Sequence, residues 1–231
     1  MIDFKTTTVE SAGTVIIRER GFVTRVIQEK DIQEAAICFA ESFQREPMVA
    51  ALNVTLEQFI PFAEFCCAEA ARTGMGVVIE DEITGDVAGF ALLSDAIQEP
   101  VSDALVPENL IPCFALLDTL LLKYIDDKEI FITGEVCVTF AGGAKKKYEG
   151  KGLGLYMMHG LIEIGKRKGY HTMISEVSGR FSQNLVGRRF KFSTHSKIAY
   201  HDFEFDGERV FQSIPDKKLE CVLMERNLSE L

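Results

Sequence analysis

The sequence predicts a mixed α/β domain built on a single sheet, and three observations carry that prediction. Apolar segments of helical and extended periodicity follow one another as an extended pair, two helices, a hairpin, a helix, and then strand–helix–strand–helix–strands. The segment "EIFITGEVCVTF" is nearly continuously apolar, as a strand covered on both faces must be. The chain has 231 residues, 47% hydrophobic and 26% charged, enough to bury one good core. It holds no internal repeat, low-complexity run or polar linker, so residues 1–231 read as one domain. Residues 1–23 read as an N-terminal extension of the sheet.

Taken in order, "GTVIIRERGFVTRVI" reads as two extended runs around Gly21. Asp31 is placed to cap a helix through about Phe43, ended by "QREPM". Thr55 is placed to cap a second helix from Leu56 to about Arg72, closed by Gly74 and Gly76. "VVIED" and "VAGFALLSD" flank the turn "EITGD" and form an antiparallel hairpin. "PENLIPCFALLDTLLLKYI" is helical, opened by Pro107 and interrupted at Pro112. After "EIFITGEVCVTF" come a glycine-rich loop, a helix to about Lys168, the strand "YHTMISEV", a short helix "SQNLVGRRF" and the strands "SKIAYHDFEF" and "LECVLMERNL".

Composition excludes several classes. A formal charge of −10 argues against broad nucleic-acid binding. No run of about 18 apolar residues suggests a membrane span, and "MIDFKTTTVES" lacks the basic start and apolar core of a signal peptide. The six cysteines form no C-x-x-C pair and sit in apolar runs, which points to buried thiols in a reducing, cytoplasmic setting. The four histidines have no zinc-ligand spacing with them, so no metal is expected. Oligomeric state, monomer or homodimer, is not written in these features.

The stretch "KKKYEGKGLG" carries the chemistry. Gly150, Gly152 and Gly154 stand where a helix begins, after Lys145, Lys146 and Lys147. A helix start presents unpaired N–H groups and the positive end of the macrodipole. Glycines let an anion approach that backbone closely. A phosphate or pyrophosphate is the physical expectation; a glycine-rich turn with no ligand is the other reading. The P-loop run G-x-x-x-x-G-K-[ST] is absent, and Leu155 stands where a dinucleotide fingerprint needs its last glycine.

"EGKGLG", after the strand "GEVCVTF" and before a helix, resembles the Q/R-x-x-G-x-G/A motif of the GNAT acetyltransferases. The resemblance implies a GNAT-like fold: a mostly antiparallel central sheet flanked by helices. It implies acetyl-CoA as cosubstrate. The amides of Gly150, Lys151, Gly152, Leu153, Gly154 and Leu155, with Glu149 at the loop's first position, would meet its pyrophosphate. It also implies that the preceding strand splays and offers main-chain groups near Glu135, Val136, Cys137 and Val138 to the pantetheine and thioester. Glu149 stands where the motif has arginine or glutamine, and the lysines would supply the missing charge. The link "TFAGGAKKKY" is longer than usual, Lys191 precedes Phe192 where glycine is usual, and Val186 occupies the position of a helix tyrosine that serves many members as general acid.

"FQREPM", "SGRFS" and "IAYHDFEFDGERVFQ" with "ECVLMERNL" resemble one branch, the arylalkylamine N-acetyltransferases of the dopamine-acetylating type, and the likeness runs from about Thr24 to Leu228. It implies transfer of acetyl to a primary amine of a small molecule, by direct attack in a ternary complex. Glu46, before Pro47, matches that branch's glutamate and is the candidate general base; as a bare sequence feature it is equally a loop carboxylate ending a helix. Ser178 and Ser182, one helical turn apart, are candidates for proton relay, although Ser182 also reads as an N-cap. Tyr200 has the chemistry of a proton donor, and core packing accounts for it as well. Cys137 has no histidine placed beside it to make it a nucleophile. Phe39, Phe43, Phe59, Phe62, Phe65, Phe114 and Phe131 supply core, with some available for an apolar acceptor pocket. Against the enzyme stand two other readings: an acyl-CoA-binding sensor or interaction module without turnover, and a phosphate-binding regulator.

Overall fold

The structure is a computed structural model that describes residues 15–97, 105–128 and 133–229. Eight strands form one sheet: β1 (Val15–Glu19), β2 (Phe22–Val26), β3 (Gly76–Asp81), β4 (Val87–Asp95), β5 (Val136–Ala144), β6 (Thr172–Val177), β7 (Ser193–Ala199) and β8 (Glu220–Asn227). Their order is β1-β2-β3-β4-β5-β6-β8-β7, and every neighbouring pair is antiparallel except β5 and β6. The helices are α1 (Ile32–Phe43), α2 (Pro47–Ala51), α3 (Leu56–Thr73), α4 (Ile111–Asp127), α5 (Leu153–Arg167) and α6 (Arg180–Asn184). The single-sheet α/β architecture is as the sequence predicts. The N-terminal extension enters the sheet as β1, with residues 1–14 outside the described residues.

Local chemistry explains most boundaries. The β1–β2 turn places Arg20 and Gly21 at φ 53° and 79°, the paired positive values of the tight turn favoured by hairpins. Thr55 and Gln58 close a reciprocal capping box at the start of α3, and Gly74 ends it at φ 67°. Glu46 caps α2: its carboxylate accepts from the Val49 N–H at 2.9 Å, with Pro47 in the first turn.

Several sequence-based boundaries need correction. Pro112 does not interrupt α4 but lies in its first turn, where a missing N–H costs nothing. Asp31 does not cap α1; its carboxylate is taken by the Arg25 guanidinium at 2.6 and 2.8 Å and by the Gln28 N–H. The short helix begins at Arg180, so Ser182 is its third residue, not its N-cap, and a turn of π-helix (Leu185–Arg189) follows. β7 ends at Ala199, before Tyr200. The long link after "GEVCVTF" is mostly strand, since β5 continues to Ala144. The start predicted for that strand, 129–132, lies outside the described residues, as does Phe131.

Two apolar layers sandwich the sheet. One joins α1, α3 and α4 to the strands through Phe39, Phe59, Phe62, Phe90 and Leu116. The other is α5, with Met157, Leu161 and Ile164, on Val77, Ile79 and Cys137. Gly160 lets α5 lie against the sheet, since a Cβ there would stand 2.9 Å from Val77. All six cysteines are free and buried.

Arg25 ties the sheet to the start of α1. It bonds Asp31 ahead of α1 and Glu80 on β3, and its side chain and that of Asp31 are only 10% and 5% exposed. Removing one member leaves the other's charge stranded. The Arg25→Met protein should lose about 3–5 kcal/mol of stability by urea unfolding; a loss under about 1 kcal/mol would show that the ion pair does not hold this junction.

Candidate functional site

β5 and β6 run parallel over Val136–Thr139 and Thr172–Ser175, and then part. Among the described residues, β5 beyond Thr139 pairs only with β4, through a bulge at Phe140 that shifts the register from Leu93↔Thr139 to Leu92↔Ala141. β6 continues along β8 alone through Glu176 and Val177. The parting opens a fork with an unpaired β5 edge from Phe140 onward. The main chain of Val136, Cys137 and Val138, expected to offer groups to a ligand, is flanked by β4 and β6 on its two sides. The open edge begins a few residues later, at Phe140, Ala141 and Gly142.

The glycine loop stands at the mouth of this fork. Gly150 and Gly152 have φ of 76° and 79°, and Gly152 leads into α5 from that left-handed conformation. The N–H groups of Lys151 and Leu155 turn inward to the carbonyls of Tyr148 and Gly152, at 3.4 and 3.0 Å. Among the described residues, those of Gly150, Gly152, Leu153 and Gly154 have no main-chain acceptor. Four donors at the positive end of a 15-residue helix are the groups an anion would meet there.

The charges around the loop differ from expectation. Lys145 pairs with Glu34 and Lys147 with Asp86, so neither is held against the loop. Lys151 lies over the rings of Tyr148 and Phe22. Glu149 is answered instead by Arg45, whose guanidinium stands 3.0 Å from its carboxylate and also bonds the Ala144 carbonyl at 3.2 Å.

A cavity of about 300 Å³ runs down the fork. Glu46, Ser178 and Ser182 all line it, with Phe140–Gly142, Gly154, Glu176 and Val186. These residues come from the start of α2, the end of β6, α6 and the π-helical turn after it, the bulge of β5 and α5, and Glu46, Ser178 and Ser182 are the candidates the sequence itself offers. Tyr200 does not line the cavity. It is fully buried, its hydroxyl donates to the Ser178 carbonyl at 2.8 Å, and burial holds its proton far above the ordinary phenol value. Its place is to fix Ser178 rather than to exchange protons. Cys137 faces the α5 layer and is pushed up to about 12 by burial, so it is no nucleophile. Ser182 bonds Gly179 through both its accepting and donating capacity, at 3.3 and 2.8 Å. Lys191 takes φ 58°, the backbone that glycine would adopt freely, so the chain keeps the turn without the glycine.

Three oxygens on the cavity wall are buried and have no hydrogen-bond partner among the described residues: Glu46 Oε1, Thr139 Oγ1 and Glu176 Oε1. Burial pushes the Glu46 carboxyl up; the Val49 N–H and the nearby Ser178 hydroxyl oppose that shift. Burial, with Asp118 beside it, pushes Glu176 up to about 8. Glu176 was missed in the sequence, although its signal was there: a carboxylate among apolar residues inside the strand "YHTMISEV". Arg45 was passed over as well. Among the described residues no group of His, Cys, Asp and Glu could hold a metal, and no helix is long and apolar enough to cross a membrane.

Glu176 gives a stability test. Its folded form keeps a proton that the unfolded chain releases near pH 4.3, so its cost to the fold grows as pH rises from there to about 8 and is absent below. Between pH 5 and pH 8 the Glu176→Gln protein should lose less stability than wild type, by on the order of 3 kcal/mol in urea unfolding. Equal losses would mean that Glu176 is not held protonated.

No protein-family model and no curated protein matches this sequence. Its fold does match solved structures. The C-terminal condensation domain of Ebony, in complex with β-alanyl-dopamine, superposes with a TM-score of 0.81 at 16% identity, over 89% of this chain and 98% of that one. Arylalkylamine N-acetyltransferase 2 from Aedes aegypti gives 0.73 at 17%, over 90% and 100%. The yncA protein of Salmonella typhimurium, solved with its cofactor acetyl-CoA, gives 0.51 at 16%, over 92% and 96%. At such identities the likeness is one of architecture, and with the forked β5–β6 pair it establishes that the chain has the GNAT acetyltransferase fold.

Proposed function

We propose that this protein is an acetyl-CoA-dependent N-acetyltransferase that acetylates the primary amine of a small molecule, an arylalkylamine by preference. The observation that carries the reading is the convergence of an anion-binding helix start, an open strand edge and a buried carboxylate on one cavity. The free N–H groups at Gly150, Gly152, Leu153 and Gly154 suit a pyrophosphate. The unpaired edge at Phe140–Gly142 suits an extended pantetheine arm, and its N–H groups suit the thioester oxygen, where charge develops on attack. Glu149 does not oppose this, since Arg45 neutralises it. Support for the acceptor comes from the architectural neighbours, one an arylalkylamine N-acetyltransferase and one bound to an amide of dopamine, itself an arylalkylamine.

Chemically, the acceptor's ammonium must lose a proton before its nitrogen can attack. Glu46 takes that proton: its carboxyl is raised toward the working range and its Oε1 is unpartnered. The neutral nitrogen then bonds to the acetyl carbon, the C–S bond breaks, and the thiolate takes a proton from Ser178, Ser182 or water. Val186 at the usual tyrosine position leaves no phenol there, and Ser182 and Ser178 are the cavity's hydroxyls nearest in sequence to it. We place the reaction in the cytoplasm on composition alone.

Thiol release from acetyl-CoA over a panel of primary amines tests the reading. Wild type should release thiol with arylalkylamines, and Glu46→Gln should lose about 10²–10⁴-fold in kcat, partly restored at alkaline pH, with acetyl-CoA Kd nearly unchanged. Tight acetyl-CoA binding without amine-dependent release would leave a binding module. An unchanged kcat in Glu46→Gln would assign the proton to another group.

A further inference from the structure

A second cavity, about 410 Å³, lies between α4 and the β4–β5 edge. Three residues line both it and the cavity of the fork: Leu117, Phe140 and Glu176. Much of its wall is apolar, with Phe114, Leu121 and Ile125 among its residues, and among the described residues no basic side chain lines it. Its carboxylates are Asp95, Asp118 and Glu176. Asp95 is committed: it accepts from the N–H groups of Gly134 and Ile97 and from the Tyr170 hydroxyl, at 2.7, 2.9 and 3.2 Å. Glu176 is not. It sits one residue past the last β5–β6 pair, on the sheet face that carries α4, and its Oε1 has no partner among the described residues.

We propose that Glu176 recognises the acceptor's ammonium group, with the acceptor's apolar body in the α4 cavity and its nitrogen directed into the fork. This rests on the acetyltransferase reading and assigns Glu176 the choice of substrate, apart from the proton removal given to Glu46. A buried carboxylate without a partner is costly. A bound cation supplies both the charge and the N–H donors it lacks. An apolar body explains the aromatic and aliphatic lining, and the size of the cavity suits a small molecule. The two acids divide by geometry. Glu46 is pinned at the start of α2 beside the serines. Glu176 stands in the wall through which the two cavities meet.

The groups that act on Glu176 come from several elements. Asp118 raises it from α4, and Cys113 of α4, Cys221 of β8 and Glu46 lie in the same buried cluster. None of these is a cation. A cationic acceptor is therefore the group that draws Glu176 into its charged form, and the acceptor KM should fall as pH rises from 7 toward 9.

Phenethylamine serves as the probe and 2-phenylethanol as its neutral counterpart. Glu176→Gln is isosteric with the protonated acid, and a melting temperature matching wild type near pH 4, below the range in which Glu176 costs stability, verifies its fold. Expected for Glu176→Gln is a phenethylamine KM, and a calorimetric Kd, raised by about tenfold or more, with kcat within about threefold. Glu176→Asp should recover much of the affinity, and 2-phenylethanol should bind both proteins equally weakly. If wild type acetylates amines and Glu176→Gln leaves KM and Kd unchanged, the proposal is overturned while the acetyltransferase reading stands. It is likewise overturned if 2-phenylethanol loses as much affinity as phenethylamine, since the effect would then be of shape. Phenethylamine binding that depends on Glu176 without any turnover supports the proposal and removes the acetyl transfer. A wild type that neither binds nor acetylates amines overturns both.

Discussion

β5 and β6 hold together for four residue pairs and then separate, because the chain bulges at Phe140 and β6 keeps only β8 as its partner. A parallel pair inside an otherwise antiparallel sheet needs a crossover between its strands, and here the crossover is the glycine loop with α5. The crossover puts the start of α5 beside the place where the two strands part. The fork, the glycine-led start of α5 and the cavity are therefore one construction. Straightening the bulge would close the edge at Phe140–Gly142 and narrow the cavity that Gly154 of α5 also lines.

That construction leaves polar atoms inside the protein. Sheet pairing normally satisfies buried backbone groups, and the fork forgoes it along one edge. Glu46, Thr139 and Glu176 add side-chain oxygens without partners to the same wall. Each such group costs stability when no ligand meets it. The fold offsets the cost elsewhere, in the phenylalanine layer under α1 and α3 and in the buried ion pairs of Arg25. Clustering of these atoms at one cavity, on two carboxyls whose burial resists ionisation, is the observation that favours the proposed reaction site over a poorly satisfied core.

Much of this was legible in the sequence because it depends on local chemistry. Gly150 and Gly152 stand at a helix start, Thr55 caps a helix and Gly74 ends it, whereas Glu46 and Pro47, which read as a break, in fact open the short helix α2. Each is decided within a few residues. What failed depends on distant partners. Asp31 has the look of a cap until Arg25 claims it, and Lys145 and Lys147 look available to the loop until Glu34 and Asp86 bind them. Arg45 reaches Glu149 across about a hundred residues, which no motif records. The open strand edge was placed too early, at Val136–Val138, because a bulge is set by register with β4 and leaves no mark on β5 alone. Glu176 was visible only as an acid in a core strand, and its meaning required the cavity.

Amide hydrogen exchange with and without acetyl-CoA tests the central claim most directly. If the coenzyme bridges the start of α5 and the open edge of β5, exchange should slow together in the peptide covering Gly150–Leu155 and in that covering Phe140–Gly142. The amides of Val136–Val138, already enclosed by β4 and β6, should change little. Protection confined to the glycine loop, or found elsewhere on the protein, would contradict the account.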